Sequence, residues 1–136
     1  MTGELDGTML LRASYPAVRG SVSRIRHELA RSATSVGASE RETDSVRLAV
    51  SEAATNVVMH AYDGTGPGEI HVTAAVHDRT LSVLIADDGL GLRASRNNQG
   101  HGCGLIIIAK CADGIALEQR PTGGVEVRMR FELQGC

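Results

Sequence analysis

The sequence predicts an α+β domain: a two-layer sandwich in which a mainly antiparallel mixed β-sheet is covered on one face by three helices. Three observations carry this. Apolar residues recur at helical spacing in two long N-terminal segments. Strict two-residue alternation appears in the second half, over Ile70–Val76, Leu81–Ile85 and Val125–Phe131. Taken in order, the segments read β-α-α-β-β-loop-α-β-β, which segregates helices from the sheet.

Each element has a local signature. Thr8–Ser14 alternates Met9, Leu11 and Ala13 against Leu10, Arg12 and Ser14, which suggests a strand and admits an edge position. Pro16 fits the first turn of a helix. Val18, Val22, Ile25, Leu29, Ala33 and Val36 then form one helical face, and Gly37 stands at the C-cap position. Ser39 and Glu42 have the spacing of a capping box and open a second helix, expected to run to about Tyr62. Its buried face is Val46, Val50, Ala53, Val57 and Ala61. Asp63–Gly68 reads as a loop. Two strands joined at Asp78-Arg79 read as an antiparallel hairpin. Leu92–Gln99 is polar and unpatterned; Gly100–Leu105 leads into a short, largely buried helix over Ile106–Lys110. Ile115–Gln119 is a strand, Arg120–Gly124 a turn, and Val125–Glu132 the clearest strand of the chain.

The composition bounds the function classes. A length of 136 residues suits a single domain, 1–136 with its core at about 8–132. A hydrophobic content of 42% with 22% charged residues is globular. The net charge of −2 lacks the basic footprint of a nucleic-acid binder. No apolar run approaches the ~20 residues of a membrane span, and Met1–Gly7 has no apolar signal core. The three cysteines, Cys103, Cys111 and Cys136, lack metal-type spacing and fit a reducing cytoplasm; Cys103 and Cys111 are expected to be small buried hydrophobes.

Chemistry concentrates in three places. Glu52 and Asn56 lie four apart, on a stripe about 100° round the second helix from its apolar face. An Asn carbonyl can ligate Mg²⁺ held with phosphates, and a Glu can take a proton in phosphoryl transfer. The helix alone reads equally well as a solvated edge. Next, a strand ends in Asp87-Asp88-Gly89-Leu90-Gly91. Asp87 is in register with Leu81, Val83 and Ile85, so it points to the buried face and needs a partner there: a ligand amino group, a backbone group or a water. Third, Gly102 and Gly104 stand at a helix N-terminus, where free N–H groups favour phosphate.

This set resembles the N box, G1 box and G2 box of the GHKL ATPase superfamily, the Bergerat nucleotide-binding fold. Within it, Ser51-Glu52-Ala53-Ala54-Thr55-Asn56 followed by His60-Ala61-Tyr62 is similar to the N box of the RsbW/SpoIIAB-type serine-protein kinases, the bacterial anti-sigma factors. The similarity covers roughly residues 8–132. It implies ATP and Mg²⁺ as cofactors, with Asn56 ligating the metal and Glu52 the catalytic base toward a serine or threonine. It implies that Asp87 bonds the adenine amino group, that Gly89 and Gly91 shape the adenine side, and that Gly102, Gly104 and Leu105 belong to the phosphate side. Arg93 or Arg96 could reach the γ-phosphate. Implied partners are a STAS-type anti-anti-sigma protein as substrate and a sigma factor, bound across a homodimer, in the cytoplasm, with no nucleic acid and no membrane. The segment Leu92–Gln99 is short for the lid of such kinases. An RsbT-type switch kinase and a nucleotide-binding regulatory module without turnover are the alternatives.

Overall fold

The computed structural model describes residue 5 and residues 7–61, 68–89, 101–121 and 123–135, with backbone alone at 101–105. The elements are β1 (Thr8–Pro16), α1 (Arg19–Ser35), α2 (Glu40–Asn56), a π-helical turn (Val57–Ala61), β2 (Glu69–His77), β3 (Thr80–Asp87), α3 (His101–Cys111), β4 (Gly114–Gln119) and β5 (Val125–Glu132). The five strands form one sheet in the order β1-β2-β3-β5-β4. All four pairings are antiparallel, with a bulge in β1 between Met9 and Leu11.

The core lies between the helices and one face of the sheet. Ile25, Leu29 and Ala33 of α1 meet Val46, Val50 and Ala53 of α2, over Ile70, Val72, Leu81, Val83, Ile85, Met129 and Phe131. These are the residues that the two periodicities assign inward. Helix α1 ends as its sequence predicts: Gly37 takes φ +92°, its N–H donates to Thr34 O at 3.1 Å, and the Ala38 N–H donates to Ala33 O at 3.0 Å. Helix α2 opens on the capping box. The Glu42 N–H donates to Ser39 Oγ (3.1 Å), and the Ser39 N–H donates to Glu42 Oε1 (2.8 Å).

Five expectations change. Pro16 ends β1, opposite Glu69 on the edge strand, instead of opening α1; an edge strand tolerates a missing N–H. Val18 is the extended N-cap residue of α1 and is 53% exposed. Helix α2 ends at Asn56, and the next turn is π-helical. Helix α3 is only partly buried: Ile108 is in the core, but Ile106 is 58% exposed. Cys111 is half-buried instead of buried, and Cys103 and Cys136 have no described side chain.

Glu42 also ties the C-terminal segment to α2. Its Oε2 accepts from the Gln134 N–H (2.6 Å) and its Oε1 from the Gly135 N–H (3.3 Å). These N–H donors, Ser39 first and Gln134 next, hold the Glu42 carboxyl below its ordinary range. A depressed carboxyl pKa stabilises the fold above the unfolded value, and this stability is lost as pH falls through the folded value. Glu42→Ala is therefore expected to cost about 1–3 kcal/mol at neutral pH by urea unfolding. The gap to wild type should close on acidification; a variant within about 0.5 kcal/mol of wild type at neutral pH, the scatter of an uninvolved surface site, would contradict this.

Candidate functional site

The site is built around the end of β3. Asp87 shares a face with Leu81, Val83 and Ile85 and is 6% exposed. Its Oδ1 accepts two backbone N–H groups, from Gly89 (2.9 Å) and Val125 (3.3 Å). Its other oxygen, Oδ2, has no hydrogen-bond partner among the described residues. One oxygen is thus held by the fold, and the other is left for something else. Burial raises the Asp87 carboxyl above the usual range; the two N–H donors oppose this, the neighbouring Asp88 adds to it, and Arg120 opposes it.

Glycines bring backbone against this carboxylate from two sides. A Cβ on Gly89 would lie 1.9 Å from the carbonyl oxygen of Ala61, the last residue of the π-turn. The strand end and the end of the Asn56-bearing helix are therefore in direct backbone contact. Gly124, at φ +87°, comes as close to Asp87: a Cβ there would meet Asp87 O at 1.9 Å and Oδ1 at 2.8 Å. Only glycine fits either position.

Glu52 and Asn56 lie one turn apart on α2, both half-buried. Helices α2 and α3 pack together, and the Glu52 charge adds to the burial that raises the Cys111 thiol pKa, so Glu52 lies near the last turn of α3. The π-turn begins directly after Asn56. Its winding is of the wider i→i+5 kind, and such turns recur at functional sites. Helix α3 starts at His101, one turn earlier than its apolar run suggests, so Gly102 and Gly104 lie inside its first turn, followed by Leu105. The first four N–H groups of a helix have no partner within it. Gly91, Arg93 and Arg96 lie outside the described residues.

Sequence reading missed the residues that hold Asp87 from the far side: Gly124, Val125 and Arg120. Arg120 NH1 donates to Asp87 O (3.0 Å) and to Asp88 Oδ1 (2.8 Å). Their one signal was the Gly123-Gly124 pair before the strongest strand, legible only as a turn.

Residues 15–131 match the family described as histidine kinase-like ATPase domain. Among curated proteins, the chain is similar to the serine-protein kinase RsbW of Bacillus subtilis, 38% identical over 140 aligned positions covering 92% of this chain and 86% of the relative. The RsbW of Bacillus velezensis is 36% identical with the same coverage. The anti-sigma F factor of Clostridium acetobutylicum is 30% identical over 100 residues, 65% of this chain and 69% of the relative. A crystal structure of the RsbU and RsbW domains of a Mycobacterium tuberculosis protein superposes with TM-score 0.70 at 20% identity, covering 90% of this chain and 31% of that longer one; this is a likeness of fold.

The raised Asp87 pKa has a consequence for stability. The folded chain holds that proton more tightly than the unfolded chain. Stability therefore falls as pH rises from the unfolded value, near 4, through the folded one. Without nucleotide at neutral pH, Asp87→Asn is expected to melt about 2–4 °C above wild type, with the gap shrinking toward pH 4. A variant less stable than wild type at neutral pH would show that the carboxylate is a structural asset.

Proposed function

This chain belongs to the histidine kinase-like ATPase domain family, and from that premise we propose that it is an ATP-dependent serine/threonine protein kinase acting as an anti-sigma factor. The observation that carries the reading is the Asp87 carboxylate: buried, tied through one oxygen, and open at the other. A carboxylate so held accepts from the amino group of adenine and repels the corresponding oxygen of guanine. The adenine side is completed by Gly89 and Gly91, whose backbones allow close approach. The first turn of α3, with Gly102, Gly104 and Leu105, serves the phosphates through free N–H groups. Arg93 and Arg96 are the candidate γ-phosphate contacts.

Mg²⁺, when bound, neutralises charge on the phosphate oxygens. Asn56 would hold it, and one or two protein oxygens suffice where phosphates supply others. Glu52, one turn before Asn56, accepts the proton of the attacking serine or threonine hydroxyl as its oxygen bonds to the γ-phosphorus of ATP, with ADP leaving. The substrate is a STAS-type anti-anti-sigma protein, and the competing ligand is a sigma factor, bound across a homodimer of this chain. The relatives named serine-protein kinase RsbW and anti-sigma F factor support the kinase and anti-sigma parts of this reading. The described helices include none long and apolar enough to cross a membrane, and the proposed partners put the protein in the cytoplasm.

Two variants separate binding from chemistry. Glu52→Ala is expected to bind Mg-ATP as wild type does and to lose phosphoryl transfer to a STAS-type protein by roughly 10²–10⁴-fold. Asn56→Ala is expected to weaken Mg-dependent ATP binding by about 1–3 kcal/mol in calorimetry. Wild-type transfer by Glu52→Ala, or unchanged Mg-ATP affinity in Asn56→Ala, would remove the respective assignment.

A further inference from the structure

A chain of polar contacts crosses the sheet face opposite the helices, just behind the strand end that bears Asp87. Ser14 Oγ is 2.8 Å from His71 Nδ1, and His71 Nε2 is 2.5 Å from Asp88 Oδ2. The other Asp88 oxygen accepts from Arg120 NH1 at 2.8 Å. Arg120 Nε lies 4.0 Å from Oε1 of Glu126, whose Oε2 accepts from Arg128 Nε at 2.9 Å. Glu126 is 1% exposed, although strand alternation puts it on the outer face with Arg128 and Arg130.

Arg120 is the member that reaches through to the site. The same NH1 that meets Asp88 also donates to the backbone oxygen of Asp87, at 3.0 Å. Its backbone closes the β4–β5 turn: the Arg120 N–H donates to Gly124 O (2.9 Å), and the Gly123 N–H donates to Arg120 O (3.1 Å). That turn sets Gly124 against Asp87 and aims the Val125 N–H at Asp87 Oδ1. One side chain therefore links the turn that supplies a donor to Asp87 with the backbone of Asp87 itself. It also meets one carboxylate oxygen of Asp88, whose other oxygen is bonded to His71.

We propose that Arg120 is a positioning residue for adenine recognition: by bridging the backbone of Asp87 and the carboxylate of Asp88, it fixes the direction of the open Asp87 oxygen and thereby sets selectivity for adenine over guanine. The proposal rests on the nucleotide reading above. As a positioning residue, Arg120 acts through Asp87. Its loss disturbs the one oxygen whose direction tells an amino group from a carbonyl.

The test is ATP and GTP affinity, by calorimetry on the full chain, for wild type, Arg120→Ala, Arg120→Lys and Asp88→Ala. Arg120→Ala is expected to lose about tenfold in ATP affinity with GTP affinity unchanged, the scale of one charge-assisted contact. Arg120→Lys, which keeps a cation within reach of both acceptors, should restore most of the ATP preference. Asp88→Ala removes a half-exposed side chain and so leaves the fold standing should Arg120→Ala fail to fold; it should lower the ATP preference about two- to threefold. An unchanged ATP-to-GTP ratio in the folded variants overturns the proposal while leaving the nucleotide reading intact. Equal losses for ATP and GTP overturn it also, since they mark a general structural role. A wild-type chain that binds no ATP overturns the nucleotide reading and this proposal with it.

Discussion

The arrangement depends on keeping one carboxylate, that of Asp87, under cover at the end of a central strand. Burying a charge is costly unless it is hydrogen-bonded. The fold meets this cost only in part: two backbone N–H groups serve one oxygen, and the second has no partner among the described residues. Much of the local structure follows from holding that half-satisfied group in place. Gly89 and Gly124 exist as glycines because backbone oxygen lies within 2 Å of where their Cβ atoms would stand. The β4–β5 turn must close tightly, and Arg120 must reach back under the strand. A stable fold has no need of an exposed-minded group in such a position; a ligand-binding fold does, because strain and unmet bonds in the free protein are released when the ligand arrives.

The helices are arranged around the same point. Helix α2 packs its aliphatic face on the sheet and brings Glu52 and Asn56 along its side. At Asn56 its winding changes, and the π-turn delivers the Ala61 carbonyl onto Gly89. The metal-binding candidate and the adenine-side candidate thus belong to one continuous backbone contact, not to two loops that meet by chance. Helix α3 adds the free N–H groups of its first turn, while its last turn packs by α2 near Glu52. The core that fixes these positions is almost wholly aliphatic, and its alanines at 33, 49, 53, 54 and 74 let the helices lie close to one another and to the sheet.

Much of this was legible in the sequence because it is local or periodic. The inward direction of Asp87 follows from its register with Leu81, Val83 and Ile85. The Ser39–Glu42 capping box and the Gly37 terminator are signals four or fewer residues long, and Glu52 and Asn56 share a stripe by spacing alone. What was not legible depends on pairs distant in the chain. Glu42 meets Gln134, and Arg120 meets Asp87, only once the strands have found their register. Pro16 read as a helix opener, and pairing with β2 made it the end of an edge strand instead. The π-turn leaves no mark in Val57–Ala61, whose apolar spacing suits an α-helix equally well. The alternation of β5 puts Glu126 on the outer face of the sheet, yet it is buried beside Arg120 and Arg128.

The most direct test of this account is a crystal structure of the chain with a bound adenine nucleotide and Mg²⁺. The account predicts that the adenine amino group donates to Oδ2 of Asp87 while Oδ1 keeps its bonds to the Gly89 and Val125 N–H groups. It also predicts the phosphates at the first turn of α3 and the metal on Asn56. A base seated elsewhere, with Oδ2 of Asp87 facing only water or protein, would contradict it.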